Sequence, residues 1–251
     1  MSEDPASVNR DFADALKMEV SGLTPQKEAQ LKEYTTTVKG SIEKQFGKYF
    51  GPDTLNKVKG LEDRVISFES KDNFSEYLRL FWGADREQKI EGIQGIHTPA
   101  KMGDLAAIQP MEEYSTKSEE QVERFAGIWK VSKEEARKSF ERIEFRNTVV
   151  HEILHAYEDD HLPPFFIECA VPYYVTDIMR DTNDGTIRYY KWDERIAFYM
   201  GLIRTYGDNI HRLFFGSNRD IRLKAKVFAA FIPSVLKEIF PKGVQNEEKR
   251  V

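Results

Sequence analysis

The residues best suited to chemistry stand together in Thr148-Val149-Val150-His151-Glu152-Ile153-Leu154-His155-Ala156-Tyr157. His151 and His155 are one helical turn apart, so a helix would project both imidazoles from one face towards a common point. Two imidazole nitrogens held in this way suit Zn²⁺. Glu152, beside the first histidine, suits the acceptor of a proton from water. Val149, Val150, Ile153 and Leu154 fill the intervening positions, and their burial would hold the helix in place as a ligand pair requires. The bland alternative is an amphipathic helix with solvated histidines. With five His in 251 residues, chance gives the His-Glu-x-x-His motif in on the order of one such chain in a hundred.

A catalytic zinc site ordinarily takes three protein ligands and keeps a fourth position open. Two residues downstream are candidates for the third. His161 lies six residues past His155, with Glu158 between them at the point where the chain would have to bend. A left-handed bend suits glycine, and a glutamate there carries a steric cost. Glu168 stands among Phe165, Phe166, Ile167, Cys169 and Ala170, and a carboxylate in apolar company calls for a partner. Other polar residues nearby read more plainly. Cys169 reads as a small buried residue, and His97 as a strand residue without a metal role. The Glu158-Asp159-Asp160 run reads equally as a solvated turn or as an acceptor for the outer ring nitrogen of a ligand histidine.

These residues need a scaffold, and the hydrophobic pattern supplies one. Thr24-Pro25 opens a helix continuing through Lys48, with Leu31, Tyr34, Val38, Ile42, Phe46 and Phe50 on one face; Gly51-Pro52-Asp53 breaks it. Arg64–Ser70 reads as a strand and Asp72–Trp82 as a helix. Glu91–His97 and Asp104–Pro110 read as two further strands of a small twisted sheet. Met111–Gln121 is acidic and loop-like. Ser132 with Glu135 forms a capping box that begins a helical pattern running towards His151. Beyond Glu158 the pattern is helical throughout. A helix over Phe165–Arg180 accommodates Pro172 only near its first turn. Another spans Trp192–Tyr206, a short turn runs from Asp208 to Phe215, and a last helix covers Asn218–Phe240.

Composition narrows the class. The chain is 40% hydrophobic and 31% charged, enough for a core, and its formal charge of −5 favours neither nucleic acid nor an anionic membrane as partner. No apolar run approaches the roughly 18 residues of a membrane span, the first ten residues are not signal-like, and a single cysteine excludes an internal disulfide. The expected location is the cytoplasm. The expected division is a tail over 1–20, an N-terminal lobe over 21–158 with the sheet and the histidine helix, a helical lobe over 159–241, and a polar tail over 242–251.

Pro164-Phe165-Phe166-Ile167-Glu168-Cys169-Ala170-Val171-Pro172-Tyr173 resembles the Pro-Trp-Leu-x-Glu-Gly-x-Ala-x-Tyr segment of gluzincins, zinc metallopeptidases of the peptidase MA-like group. It differs at Phe165, Cys169, Val171 and Pro172. The order of strands and helix upstream is similar too, so the resemblance covers roughly 64–177. It implies an α+β, zincin-like fold, with His151, His155 and Glu168 binding Zn²⁺ and Glu152 as general base for hydrolysis of a peptide or protein substrate. Leu105–Ile108 would be the edge strand that aligns the substrate, and Tyr189, Tyr190, Tyr199 or His211 could steady the oxyanion. The spacing His151–His155–His161 is that of metzincins, although Glu158 stands at their glycine and no Met-turn is recognisable around Met179. The rival function is an inactive relative serving as a peptide- or protein-binding module, which would need no Glu152.

Overall fold

The structure is a computed structural model and describes residues 22–82, 93–98, 105–111, 119–182 and 194–230. The described chain is mostly helical with one three-stranded sheet, an α+β composition. It divides into two compact units that interleave along the sequence. The first takes the described parts of Met1–Gln45, Val58–Ala156 and Val175–Arg188; the second takes those of Phe46–Lys57, Tyr157–Tyr174 and Tyr189–Val251. Among the described residues no helix is long and apolar enough to cross a membrane.

In the first unit, helix α1 (Pro25–Phe46) begins where the Thr24 hydroxyl accepts from the Lys27 N–H at 3.4 Å, and Pro25 takes the first helical position. Leu31, Val38 and Ile42 are buried along one face. After α2 (Thr54–Lys57), which belongs to the second unit, come β1 (Val65–Ser67), α3 (Lys71–Trp82), β2 (Gly95–His97) and β3 (Ala106–Ile108). The strands lie in the order β1-β3-β2, with β1 parallel and β2 antiparallel to β3. This corrects the expected edge strand. Among the described strands Leu105–Ile108 is central, and Gly95–His97 lies at the edge beside it. Ala106–Ile108 pairs with Val65–Ser67 on one side and Gly95–His97 on the other, a partnership between distant segments that leaves all three residues buried. Asp104, Glu91 and Gly92 lie outside the described residues.

Side chains alternate across this sheet. On one face Ile66, Ala107 and Ile96 pack with Phe68, Phe74, Tyr77 and Leu78. The alternation assigns Gly95 and His97 to the opposite face.

Helix α4 (Glu119–Trp129) begins inside the stretch expected to be a loop. Val122 and Ala126, buried one turn apart, give it a packed face that the acidic residues around them mask in the sequence. It ends with Lys130 at φ 57°, and the Val131 N–H returns to the Ala126 carbonyl at 3.1 Å in a Schellman closure. Helix α5 (Lys133–Tyr157) then runs 25 residues without interruption. Its capping box forms as expected. The Ser132 Oγ lies 2.8 Å from Glu135 Oε2, which also accepts from the Ser132 N–H at 2.9 Å. Ala136, Phe140, Ile143, Val150 and Leu154 bury one stripe of α5, and Val149 and Ile153 widen it around the histidines.

Helix α6 (Pro164–Thr182) contains Pro172 in its interior, whereas the sequence reading tolerated it only near the first turn. Pro164, the first residue of α6, fills the start, so Pro172 falls more than two turns in. It has no N–H for the Glu168 carbonyl, and the buried side chains of Val171 and Tyr174 on either side keep the helix running.

In the second unit, α7 (Glu194–Tyr206) ends at Gly207, whose φ is 62°. The expected turn over 208–215 is instead a short helix, α8 (Asn209–Phe214), because Ile210, Leu213 and Phe214 recur at helical spacing and are all buried. The last helix, α9 (Ile221–Ala229), starts at the Asp220 cap; what was expected beyond residue 230 lies outside the described residues. An aromatic core of Phe46, Tyr174, Phe214 and Phe215 holds this unit. Gly51 approaches Gly216 so closely that a Cβ there would lie 2.6 Å from the Gly216 carbonyl oxygen, and this contact clips the start of α2 to the end of α8.

Candidate functional site

Helix α5 carries His151, Glu152 and His155 as the sequence implied. Val149, Val150, Ile153 and Leu154 are fully buried around them, so the helix is fixed in rotation. The imidazole rings of His151 and His155 have centroids 4.9 Å apart and planes at 68°. Two imidazoles binding one zinc at about 2.0–2.1 Å in tetrahedral geometry would have centroids about 5 Å apart. The observed pair meets that requirement.

Glu152 is buried, and among the described residues it is the one carboxylate in the buried set. A carboxylate out of water is costly to folding and is found where chemistry needs it more often than where packing does. It lies against the backbone of β2: a Cβ added to Gly95 would stand 2.8 Å from Glu152 Oε1 and 2.7 Å from Thr148 Cγ2. His97 follows on the same face, its ring 6.2 Å from that of His155 at an interplanar angle of 21°. His97 is thus a strand residue as expected, and it stands beside one of the candidate ligands. Sequence reasoning assigned no role to Gly95 or His97. The available signal was their i, i+2 spacing in a strand, which puts both on whichever face meets the histidine helix.

The other candidates belong to the second unit. The Glu168 side chain is 51% exposed and sits 3.6 Å from Arg195 Nη1. The apolar neighbours did not bury it, since Phe166, Ile167, Ala170 and Val171 occupy the inner face of α6 and helical rotation turns Glu168 outward. His161 is 85% exposed at its side chain, and its N–H donates to Asp159 Oδ1 at 2.9 Å. The acidic run is tied to lysines of its own unit. Lys57 Nζ donates to the Glu158 carbonyl at 2.6 Å and to Asp160 at 2.7 Å, while Lys224 lies 3.6 Å from Asp159. Cys169 is half-buried. Among the described residues no three His, Cys, Asp or Glu side chains are grouped closely enough to hold a metal ion.

Of the four oxyanion candidates, Tyr189 and Tyr190 lie outside the described residues. Tyr199 and His211 are buried and joined through Tyr174, whose hydroxyl is 2.8 Å from the Tyr199 hydroxyl and 2.9 Å from His211 Nδ1. Burial pushes both phenols well above their ordinary pKa and the imidazole below its own. This is a satisfied polar network inside an aromatic core.

Set against known proteins, the chain matches no family model, no curated protein and no solved structure.

Proposed function

We propose that this protein is a zinc-dependent peptidase of gluzincin type, built on a zincin-like fold, with a peptide or protein as substrate. The observation that carries the reading is the pair of imidazoles 4.9 Å apart on α5 with the buried carboxylate of Glu152 beside them. His151 and His155 fit zinc by ring spacing and donor chemistry, and Glu168 is the proposed third ligand. Its exposed carboxylate, held at 3.6 Å by Arg195, is in an exchangeable ion pair of the kind that contributes little. Zinc, when bound, supplies Lewis acidity to a carbonyl oxygen and to a water alike.

The chain's own residues do the rest. The two histidines would hold the ion on a helix fixed in rotation by its buried face. Glu152 takes the proton from the attacking water and gives it to the leaving amine. Strand β2, in place of β3, aligns an extended substrate by backbone hydrogen bonds. The ion pair of Glu168 with Arg195 is the observation that favours the second reading, an inactive zincin-like module that binds a peptide or protein.

Elemental analysis of the purified protein together with digestion of a peptide library separates the two. One zinc per chain, and cleavage abolished by a chelator and restored by added zinc, is the expected result. Absence of any transition metal after zinc is supplied would sink the metallopeptidase, and zinc without cleavage of any peptide would leave the binding module.

A further inference from the structure

Gly95 has no backbone reason to be glycine. The described glycines with positive φ are Gly22, Gly60, Gly207 and Gly216, so the conformation at Gly95 is one that any L residue adopts. The reason is space. A Cβ at this position would lie 2.7 Å from Thr148 Cγ2, 2.8 Å from Glu152 Oε1 and 2.9 Å from Glu152 Cγ, all well inside van der Waals contact. Both neighbours are on α5, one helical turn apart, and both are buried. Glu152 is itself buried, so its side chain has little open space to move into.

We propose that Gly95 is a positioning residue for Glu152. The missing side chain on the edge strand is the slot into which the general base fits, and the width of that slot fixes where the carboxylate stands relative to the two histidines. The role rests on the peptidase reading for its catalytic meaning, but the fit between Gly95 and Glu152 is a property of the fold alone. Because the side chain of residue 95 points to the helix, its substitution leaves the strand's outward backbone groups in place. An added methyl group therefore displaces the base without removing the groups that align a substrate.

Two measurements test this. In the first, Gly95→Ala is compared in the parent and in the Glu152→Ala background by thermal unfolding, with Thr148→Ser as a third background. The alanine lowers Tm by several degrees in the parent, and by about half as much or less where Glu152 has been cut back, since residues in contact do not add. Equal losses in the parent and in the Glu152→Ala background overturn the proposal, as does complete relief by Thr148→Ser, which would make the slot serve the threonine methyl. This arm needs neither metal nor activity.

The second measurement is peptide hydrolysis with zinc supplied. Gly95→Ala lowers kcat by about 10- to 100-fold with KM within a factor of about two, as displacement of a reacting group by roughly 1 Å does. Bound zinc stays at the parent's stoichiometry. A kcat equal to the parent's overturns the positioning role even if the stability coupling is found. A parent that hydrolyses nothing overturns the peptidase reading and with it the catalytic role of Gly95, while the unfolding arm still reports whether the slot is built for Glu152.

Discussion

The segment 148–156 of the first unit and the segment 157–168 of the second follow one another in sequence and treat polar groups in opposite ways. In the second segment, charge meets opposite charge: Asp160 with Lys57, Asp159 with Lys224, Glu168 with Arg195. Asp160, Glu168 and Arg195 are exposed and would be at home in water without their partners, while Asp159 and Lys224 pair closer to the interior. In the first segment, groups of one chemical kind are gathered. Two imidazoles stand ring to ring at 4.9 Å, and a carboxylate lies buried beside them with its helix packed on every apolar position. Ion pairs at a surface neutralise one another and ask nothing further. Electron-pair donors assembled on a rigid buried helix cost stability and make sense where an electrophile is to be held.

The largest effect expected from this contrast is at Glu152. Glu152→Gln keeps the shape and removes the buried charge, so Tm should stay level or rise while peptide hydrolysis falls by about 10²–10⁴-fold, the contribution of a positioned general base. Zinc content should be unchanged. A variant that cleaves at the parental rate would put Glu152 among the structural residues and erase the difference between the two segments.

Next come the proposed ligands. His151→Ala and His155→Ala should each lower zinc affinity by several orders of magnitude, measured by competition with a chromophoric chelator, because each removes one of the donors that define the site. The same titration on Glu168→Ala and His161→Ala sharpens the comparison. Loss of zinc in Glu168→Ala makes that carboxylate a ligand rather than a surface ion pair. Loss in His161→Ala instead would assign the third place by the metzincin spacing, and retention in both would confine the site to the first unit.

Much of this was legible in the residues, for identifiable reasons. Period and capping act locally, so α1 with its Thr24-Pro25 start, the Ser132–Glu135 box and the histidine turn of α5 could all be read directly. Strand order could not be read. Which of Gly95–His97 and Ala106–Ile108 is central depends on what packs at each edge, and no local rule carries that information. Pro172 misled through a rule that holds for isolated helices and yields to packing in buried ones. The exposure of Glu168 could not be read because sequence neighbours on a helix point 100° apart, so apolar company in the sequence is not apolar company in space. The slot at Gly95 was out of reach for a different reason: it pairs residue 95 with residues 148 and 152 across two elements.

A smaller effect is expected in the second unit. Asp159 is only 12% exposed at its side chain, with Lys224, 17% exposed, at 3.6 Å, and it accepts the His161 N–H at 2.9 Å. Asp159→Ala leaves a lysine partly out of water and a turn without its acceptor, a loss of about 1–3 kcal/mol in urea unfolding. Hydrolysis per folded molecule should hold to within a factor of about two. A loss of activity at unchanged stability would show that this acidic run serves the chemistry and does more than tie its own turn.

The smallest effects lie at the junction between α4 and α5, and they test whether the histidine helix is held by its cap or by its packing. Ser132→Ala removes the hydroxyl that the Glu135 N–H donates to at 3.2 Å and should lower Tm by about 2–4 °C, the usual loss for a helix cap in a chain of this size. Lys130→Gly works in the other direction. Lys130 holds φ 57°, a left-handed conformation that costs a side chain and costs glycine nothing, so Tm should rise by about 2–3 °C. Both positions are five or more turns from His151 along α5, and the buried stripe from Phe140 to Leu154 lies between. If packing fixes the rotation of α5, zinc affinity should be the same in both variants although their stabilities move apart. A zinc affinity that followed Tm down in Ser132→Ala and up in Lys130→Gly would mean that the imidazole pair depends on the far end of the helix, and the rigid seat inferred for His151 and His155 would have to be given up.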